Sequence, residues 1–245
     1  NSDEIPGNGK DDDGNGYVDD VNGYNFADDK SDPSDVDSHG THIAGVIGAS
    51  CDNGVGVCGL NKKVSIMSLG FFFVREQCGW ELFEYKCSDV AYGDTAAAIK
   101  AIYYAVDNGA RVINASWGPE EPVSIPLDPE DYDNNNFEDK ALVEAIRYAE
   151  DYNVLFVASA GNNGNDNDDL SYTNTPSSLD IDNILAVAAS DSNDNLADFS
   201  CYGATTVDVA APGVRILSTL SRDYGYGEYG YMDGTSMASP VVTGI

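Results

Sequence analysis

The chain has 245 residues, 42% of them hydrophobic, and carries 42 acidic against 12 basic side chains, a net charge of −30. That length supports one large domain with a substantial core. No apolar run reaches the ~18 residues that span a bilayer, and the charge excludes nucleic acid as the main partner, because phosphate binding needs a basic face.

Residues 1–37 are rich in Asp, Asn and Gly and read as loop. The acidic excess there and elsewhere has two compatible readings: a solvated surface that keeps the protein soluble, or carboxylate-rich loops that bind calcium. Asp11-Asp12-Asp13-Gly14-Asn15-Gly16-Tyr17-Val18-Asp19 favours the second. Asp11, Asp13, Asn15 and Asp19 stand at the first, third, fifth and ninth positions of an EF-hand-like loop, Gly16 sits at the turn, and Tyr17 offers its carbonyl at the seventh. The twelfth position is Asn22 rather than a bidentate Glu, and flanking EF helices are absent. The pattern is therefore a calcium loop rather than an EF-hand domain, with Asp20 as a substitute ligand; the alternative is an acidic solvated turn.

A helix begins near Ser38 and runs through His42, Ala44 and Ile47. Val64 to Leu69 alternates and reads as a strand, and 71–93 form a longer excursion carrying Cys78, Trp80 and Cys87. Asp94 caps a helix from Thr95 to Asp107 with Ala98, Ile99, Ile102, Ala105 and Val106 inward, and Gly109 stops it. Val112 to Ser116 is a short buried strand. Phe137 to Tyr152 is a helix with Leu142, Val143, Ile146 and Ala149 inward. Val154 to Ala158 and Ile184 to Ala189 are near-continuous apolar runs, as in strands covered on both faces. Val207 to Ala210 and Ile216 to Thr219 follow. Strands alternating with helices give an α/β domain over residues 1–245, with a mostly parallel sheet between helices.

The five cysteines include no Cys-x-x-Cys pair, and only two histidines accompany them, so a zinc site is not expected. Cys51 with Cys58 and Cys78 with Cys87 would each close a short loop in an oxidising compartment; otherwise they are free, partly buried thiols. Cys201 is left over.

A serine nucleophile needs a base, something to orient the base, and donors for the oxyanion. Three segments bear on this: Ser38-His39-Gly40-Thr41-His42-Ile43-Ala44-Gly45, Ala160-Gly161-Asn162-Asn163-Gly164 after an apolar strand, and Gly234-Thr235-Ser236-Met237-Ala238-Ser239-Pro240 at a helix start. Singly they read as a structural histidine, a turn and a cap. Together, and in this order, they resemble the subtilase family of serine proteases along nearly the whole chain. The resemblance implies a subtilisin-like three-layer sandwich, with a mostly parallel central sheet flanked by helices, and serine endopeptidase activity on polypeptide substrates. His39 is then the general base, Ser236 the nucleophile, and the Asn162 amide with the Ser236 backbone N–H the oxyanion donors, while His42 packs structurally. The order His, Asn, Ser matches the subtilisin arrangement.

The same resemblance makes Ser116-Trp117-Gly118 the segment to which a peptide adds as an extra strand, with an ordinary core aromatic as the alternative for Trp117. Ala158, Ser159, Ala160 and Gly161 would line a roomy, fairly apolar specificity pocket favouring large uncharged residues. Asn114-Ala115-Ser116 matches a glycosylation sequon but lies in a buried strand. Ala210-Ala211-Pro212-Gly213 matches a family signature with a structural role. Asp52 to Val57 resembles a second calcium loop, with Asn53, Val55 and Val57 as ligands, although Cys51 and Cys58 flank it. A secreted or extracytoplasmic, calcium-stabilised monomer follows, with a propeptide as a further partner.

One element departs from the pattern. The family's triad aspartate ends an early strand in an Asp-Ser/Thr-Gly motif, and nothing here fits: Asp35 and Asp37 are too close to His39, and Asp3 has no strand before it. No signal peptide is visible, and the chain opens mid-loop and ends nine residues after Ser236. The expectation is a domain truncated at both ends that is nearly inactive alone. The rival reading is a pseudoprotease that holds peptides without cutting them.

Overall fold

The two most apolar runs of the sequence become the centre of the molecule. In the computed structural model the described residues are 1–35, 37–81, 84–119, 137–169, 171–222 and 227–245, with the side chains of 74–91 and 137–139 outside the description. Strands β5 (Val112–Ala115), β6 (Leu155–Ser159), β7 (Ile184–Ser190) and β8 (Val209–Pro212) form a parallel sheet in that order. Ala115 pairs with Ala158 and Ala158 with Ala186, a row of small side chains across the sheet.

Helices cover both faces because β6 is apolar on both. Phe156 and Ala158, fully buried, face Ile102 and Val106 of α2 (Thr95–Asp107) and Leu142, Ile146 and Ala149 of α3 (Phe137–Asp151). Val157 faces the other way, with Val187, Ala189 and Ala238 of α4 (Thr235–Thr243). This period of two turns one apolar run into two cores. The first helix, α1 (His39–Gly48), packs against α4, completing a three-layer α/β sandwich.

Helix ends follow local chemistry. The Asp94 carboxylate accepts the N–H groups of Ala96 (2.9 Å) and Ala97 (3.2 Å), as its capping position requires. For α1 the cap is not Ser38, whose φ is +72° and whose side chain caps nothing. Asp35 does this instead, accepting from the N–H of Ser38 (3.0 Å) and from the N–H and hydroxyl of Thr41 (2.6 and 2.5 Å).

Several elements differ from the sequence expectation. The strand expected over Val64–Leu69 is β2 (Ser68–Gly70), paired with a three-residue strand β1 (Gly23–Asn25) inside the acidic loop region. Val64 and Ile66, whose alternation suggested the strand, are exposed. The eighth strand runs two residues later than expected, so that Ala210 to Pro212 are strand and Gly213 begins the turn. The excursion is an antiparallel hairpin of β3 (Phe72–Glu81) and β4 (Glu84–Gly93). A second antiparallel pair joins β9 (Ile216–Thr219) to β10 (Tyr229–Met232), the latter too short and glycine-broken to be read from alternation.

Candidate active site

The carboxyl ends of β5 and β6 open onto the amino end of α4, and a pocket of about 250 Å³ lies there. Trp117 and Gly118 reach it from beyond β5, Ser159, Gly161 and Asn162 from the end of β6, and Thr235 and Ser236 from the first turn of α4. Asn163 and Asn174 complete its polar wall.

Ser236 owes its position to a proline. Pro240 lies inside α4 and has no N–H to return to the Ser236 carbonyl four residues back. The hydroxyl of Ser116 fills that gap, donating to the Ser236 carbonyl at 2.9 Å. The same hydroxyl meets Ser239 Oγ at 2.6 Å and accepts from Asn114 Nδ2 at 2.9 Å. In return Ser236 Oγ donates to the Ser116 carbonyl at 3.3 Å. Ser116 is thus buried and its side chain ties the sheet to the nucleophile's helix; only its backbone is available to a peptide.

Asn162 is oriented by the same turn. Its Oδ1 accepts both the N–H and the hydroxyl of Thr235, each at 2.9 Å. That leaves Nδ2 as the free donor at the pocket, beside the N–H groups that open α4, where the helix dipole favours negative charge. Thr235 Oγ1 also accepts the Gly161 N–H at 3.1 Å. Gly161 has φ +109°, and a Cβ there would lie 2.7 Å from the Asn174 side chain, so the loop tolerates no larger residue.

His39 opens α1. Ile47 near the end of α1 lies against Gly244 just past α4, which pairs the carboxyl ends of the two helices and leaves His39 and Ser236 at the same end. The His39 ring makes no hydrogen bond to a described residue; the His39 backbone N–H donates to Asp37 Oδ1 at 2.9 Å. Burial lowers its pKa below the ordinary 6.5, against the opposing pull of Asp37 and Asp35. Partial desolvation and the neighbouring Asp35 push the Asp37 carboxyl up, although Asp37 lies exposed at the surface. Burial alone would raise Asp35 too, but the bonds from Thr41 hold it down. His42 is fully buried, its Nε2 donating to the carbonyls of Ile216 (3.0 Å) and Gly230 (3.2 Å), which is a structural role. Gly45 completes the motif: a Cβ there would meet the hydroxyls of Ser218 and Thr219 at 2.3 and 2.2 Å, so glycine lets α1 rest directly on β9.

Two expectations about the pocket are corrected. Ala158 and Ala160 are fully buried and do not line it; side chains alternate along β6, and Ser159 is the one that faces the pocket. The wall is also polar rather than apolar, being mostly Asn, Ser and Thr, with no charged side chain among its lining residues. Trp117 is half-buried, lines the pocket and packs on the main core at once, so both readings of it hold. Asn174 and Thr235 were missed as site residues. Asn174 is distant in sequence and carries no local motif, whereas Thr235 lay within a quoted motif but only its geometry reveals its role.

The acidic loop gathers one group of carboxylates. The carboxylates that converge are Glu4, Asp13 and Asp20, with oxygens all within 4.8 Å of one another, and Glu4 and Asp20 are buried. Asn15 Nδ2 contacts both Asp13 (3.2 Å) and Asp20 (2.8 Å), and the Tyr104 hydroxyl donates to Asp20. Asp11 instead holds the N–H groups of Gly14, Asn15 and Gly16, and Asp19 those of Asn8 and Gly9. The Tyr17 ring anchors the loop by edge contacts with Tyr24 (4.7 Å) and Tyr104 (5.0 Å). Glu4, seven residues before the loop, gave no sequence signal. Around the second loop no carboxylates converge among the described residues: Asn53 Oδ1 accepts the Val55 N–H at 3.0 Å, Val55 is exposed, and Asp52 pairs with Lys62 at 3.0 Å. Cys51 and Cys58 are bridged across that loop, with Cα atoms 4.7 Å apart, while Cys201 is free and buried.

Fold and site together define an α/β protein built around a serine at a helix amino end. The chain belongs to the subtilase family: the family profile described as Peptidase_S8, Subtilase family, matches residues 4–245. It is 38% identical over 220 residues to the "Thermophilic serine proteinase" of Bacillus sp. (strain AK1), covering 90% of this chain and 44% of the relative. It is 35% identical to "Thermitase" of Thermoactinomyces vulgaris, covering 90% and 63%. Among solved structures, a cold adapted subtilisin-like serine proteinase aligns with TM-score 0.65 and 29% identity, over 91% of this chain and 64% of that one. The chain thus spans roughly half to two thirds of the length of these relatives.

Proposed function

We propose that this domain is the catalytic part of a secreted serine endopeptidase, with Ser236 as nucleophile and His39 as general base. The observation that carries the reading is the Asn162 amide, fixed by Thr235 with its Nδ2 free in the pocket that also holds Ser236. His39 takes the Ser236 hydroxyl proton as Oγ attacks the scissile carbonyl carbon. The oxyanion accepts from Asn162 Nδ2 and the Ser236 N–H. Collapse breaks the C–N bond, the imidazolium returns the proton to the leaving amine, and an ester on Ser236 remains. Water, deprotonated by His39, then hydrolyses the ester.

In this reading an aspartate upstream of residue 1 orients His39, and residues 1–245 alone turn over slowly. In subtilisin, a member of the same family, loss of that aspartate costs ~3 × 10⁴ in kcat. The fluorophosphonate reaction tests the whole scheme: the full-length protein should be labelled once, on Ser236, and the Ser236→Ala protein not at all. An unlabelled full-length protein would leave the peptide-holding alternative in its place.

Calcium is part of the proposal. Three carboxylates gathered with two of their residues buried repel one another, and among the described residues no Lys or Arg bonds to them. A hard divalent cation with oxygen ligands balances that charge. Glu4, Asp13 and Asp20 would hold it, supported by the Asn15 side chain, and it would act on stability rather than on the chemistry. The Cys51–Cys58 bridge supports an oxidising compartment, in line with the name of a 35% identical relative, the "Cell wall-associated protease" of Bacillus subtilis (strain 168).

A further inference from the structure

The β3–β4 hairpin is not needed for the sheet, the nucleophile or the base. It is a two-stranded sheet by itself, ten residues per strand, paired with no other strand among the described residues. At about 3.3 Å per residue such an arm is about 30 Å long, and an isolated two-stranded hairpin is marginal in water. An arm of that length needs a clamp to hold one shape.

The register supplies one. Cys78 stands directly opposite Cys87. Opposed residues of an antiparallel pair have Cα atoms about 4.5–5.5 Å apart, inside the range of about 4.4–6.8 Å that a disulfide spans. The remaining cysteines are committed: Cys51 is bridged to Cys58, and Cys201 is fully buried. Among the cysteines of residues 1–245, Cys78 and Cys87 are the pair that the register sets face to face.

The root of the arm fixes what it stands beside. Phe71, the residue before β3, sets its ring edge-on against Trp117 at 5.5 Å and tilted against Phe72 at 4.5 Å. Its carbonyl accepts the Asp94 N–H at 3.0 Å, closing the base of the arm where α2 begins. One pair further out, Phe73 and Tyr92 stack at 6.0 Å. Trp117 is itself a wall of the Ser236 pocket. The base of the arm thus sits against the pocket's own tryptophan.

We propose that Cys78 and Cys87 form a cross-strand disulfide, and that the locked arm is a wall of the substrate cleft that binds extended polypeptides beyond the residue held in the pocket. The inference rests on the peptidase reading for its substrate class, but the bridge does not. The two thiols give up two protons and two electrons to an external disulfide, which is reduced to two thiols, by exchange through a mixed disulfide. A locked strand pair binds an extended chain without first paying for its own ordering.

Two measurements on the full-length protein test this. First, thiols are counted in denaturant without reductant, and disulfide-linked peptides are mapped. Within residues 1–245 one free thiol, Cys201, and a linked pair containing Cys78 and Cys87 are expected; three free thiols overturn the bridge whatever the protein's activity. Second, a ten-residue peptide is titrated into the Ser236→Ala protein with and without Cys78→Ser plus Cys87→Ser, which needs no catalysis. The arm predicts a Kd weakened about tenfold, while the Ser236-bearing double-serine protein still hydrolyses a single-residue ester within about twofold of the unaltered protein. An unchanged Kd, or an equal loss on peptide and ester, overturns the arm as a cleft wall. A fluorophosphonate-inert protein that still shows the Kd shift would overturn the peptidase reading and leave the arm standing.

Discussion

Replacing Ser116 with Ala should unmask the dependence of the nucleophile's helix on one hydroxyl. Ser116 Oγ donates to the Ser236 carbonyl and also meets Ser239 Oγ and Asn114 Nδ2, at 2.9, 2.6 and 2.9 Å. Because Pro240 carries no N–H, nothing inside α4 replaces the lost donor. A part-buried carbonyl left unpaired costs about 1 kcal/mol, toward the lower end of the penalty for a buried one, and the two weakened neighbours bring the total to about 2–3 kcal/mol. At about 2–4 °C per kcal/mol for a domain of this size, Tm falls by about 5–10 °C. Thermal unfolding is best followed in the Ser236→Ala background, which keeps the carbonyl and prevents self-digestion. A Pro240→Ala partner sharpens the test, since it restores an N–H four residues after residue 236. The Ser116→Ala penalty should shrink by about 1 kcal/mol or more in that background. An equal penalty with and without Pro240 would refute the account of how Ser236 is held.

Asn162→Ala should lower kcat by about 10²–10³, the range found for an oxyanion donor in subtilisin, with KM little changed; steady-state kinetics on a peptide substrate decide it. Activity should rise with pH as His39 loses its proton, and Asp37→Asn should move that acid limb to lower pH, because the Asp37 charge raises the His39 pKa. An upward shift in the pH–rate profile would contradict the placement of Asp37. Stability should fall as pH drops below 6.5. Burial depresses the His42 pKa in the folded state, so the unfolded chain takes up the proton first and the loss is complete below the folded pKa. Nδ1 of His42 is buried without a partner, so the protonated ring would gain no bond there; the slope of Tm between pH 7 and pH 5.5 should flatten in a His42→Gln protein. Chelation should lower Tm by about 5–10 °C if free calcium stood near 100 times its Kd, a loss of about 2.7 kcal/mol. Asp20→Asn should abolish that sensitivity in calorimetry with and without chelator.

Sequence alone determined whatever rests on near neighbours. The helix from Thr95 to Asp107 was legible because Asp94 caps it through two adjacent N–H groups. The strand at Leu155 to Ser159 was legible because a short continuous apolar run must be covered on both faces. The segments that hold His39, Asn162 and Ser236 stood out in the sequence because each is a compact motif rich in small residues. Tertiary structure decided what depends on groups far apart in the chain. Glu4 joins Asp13 and Asp20 through a fold-back of the loop, and Asn174 reaches the pocket across Gly161. Which of Ala158, Ser159 and Ala160 faces the pocket depended on which face of β6 meets α4. The sequence marked Ser116 only as an expected peptide-binding residue, and its bond to the carbonyl that Pro240 leaves without a donor exists because β5 lies against α4. A hydrogen bond between residues 120 positions apart has no local signature; it follows from packing.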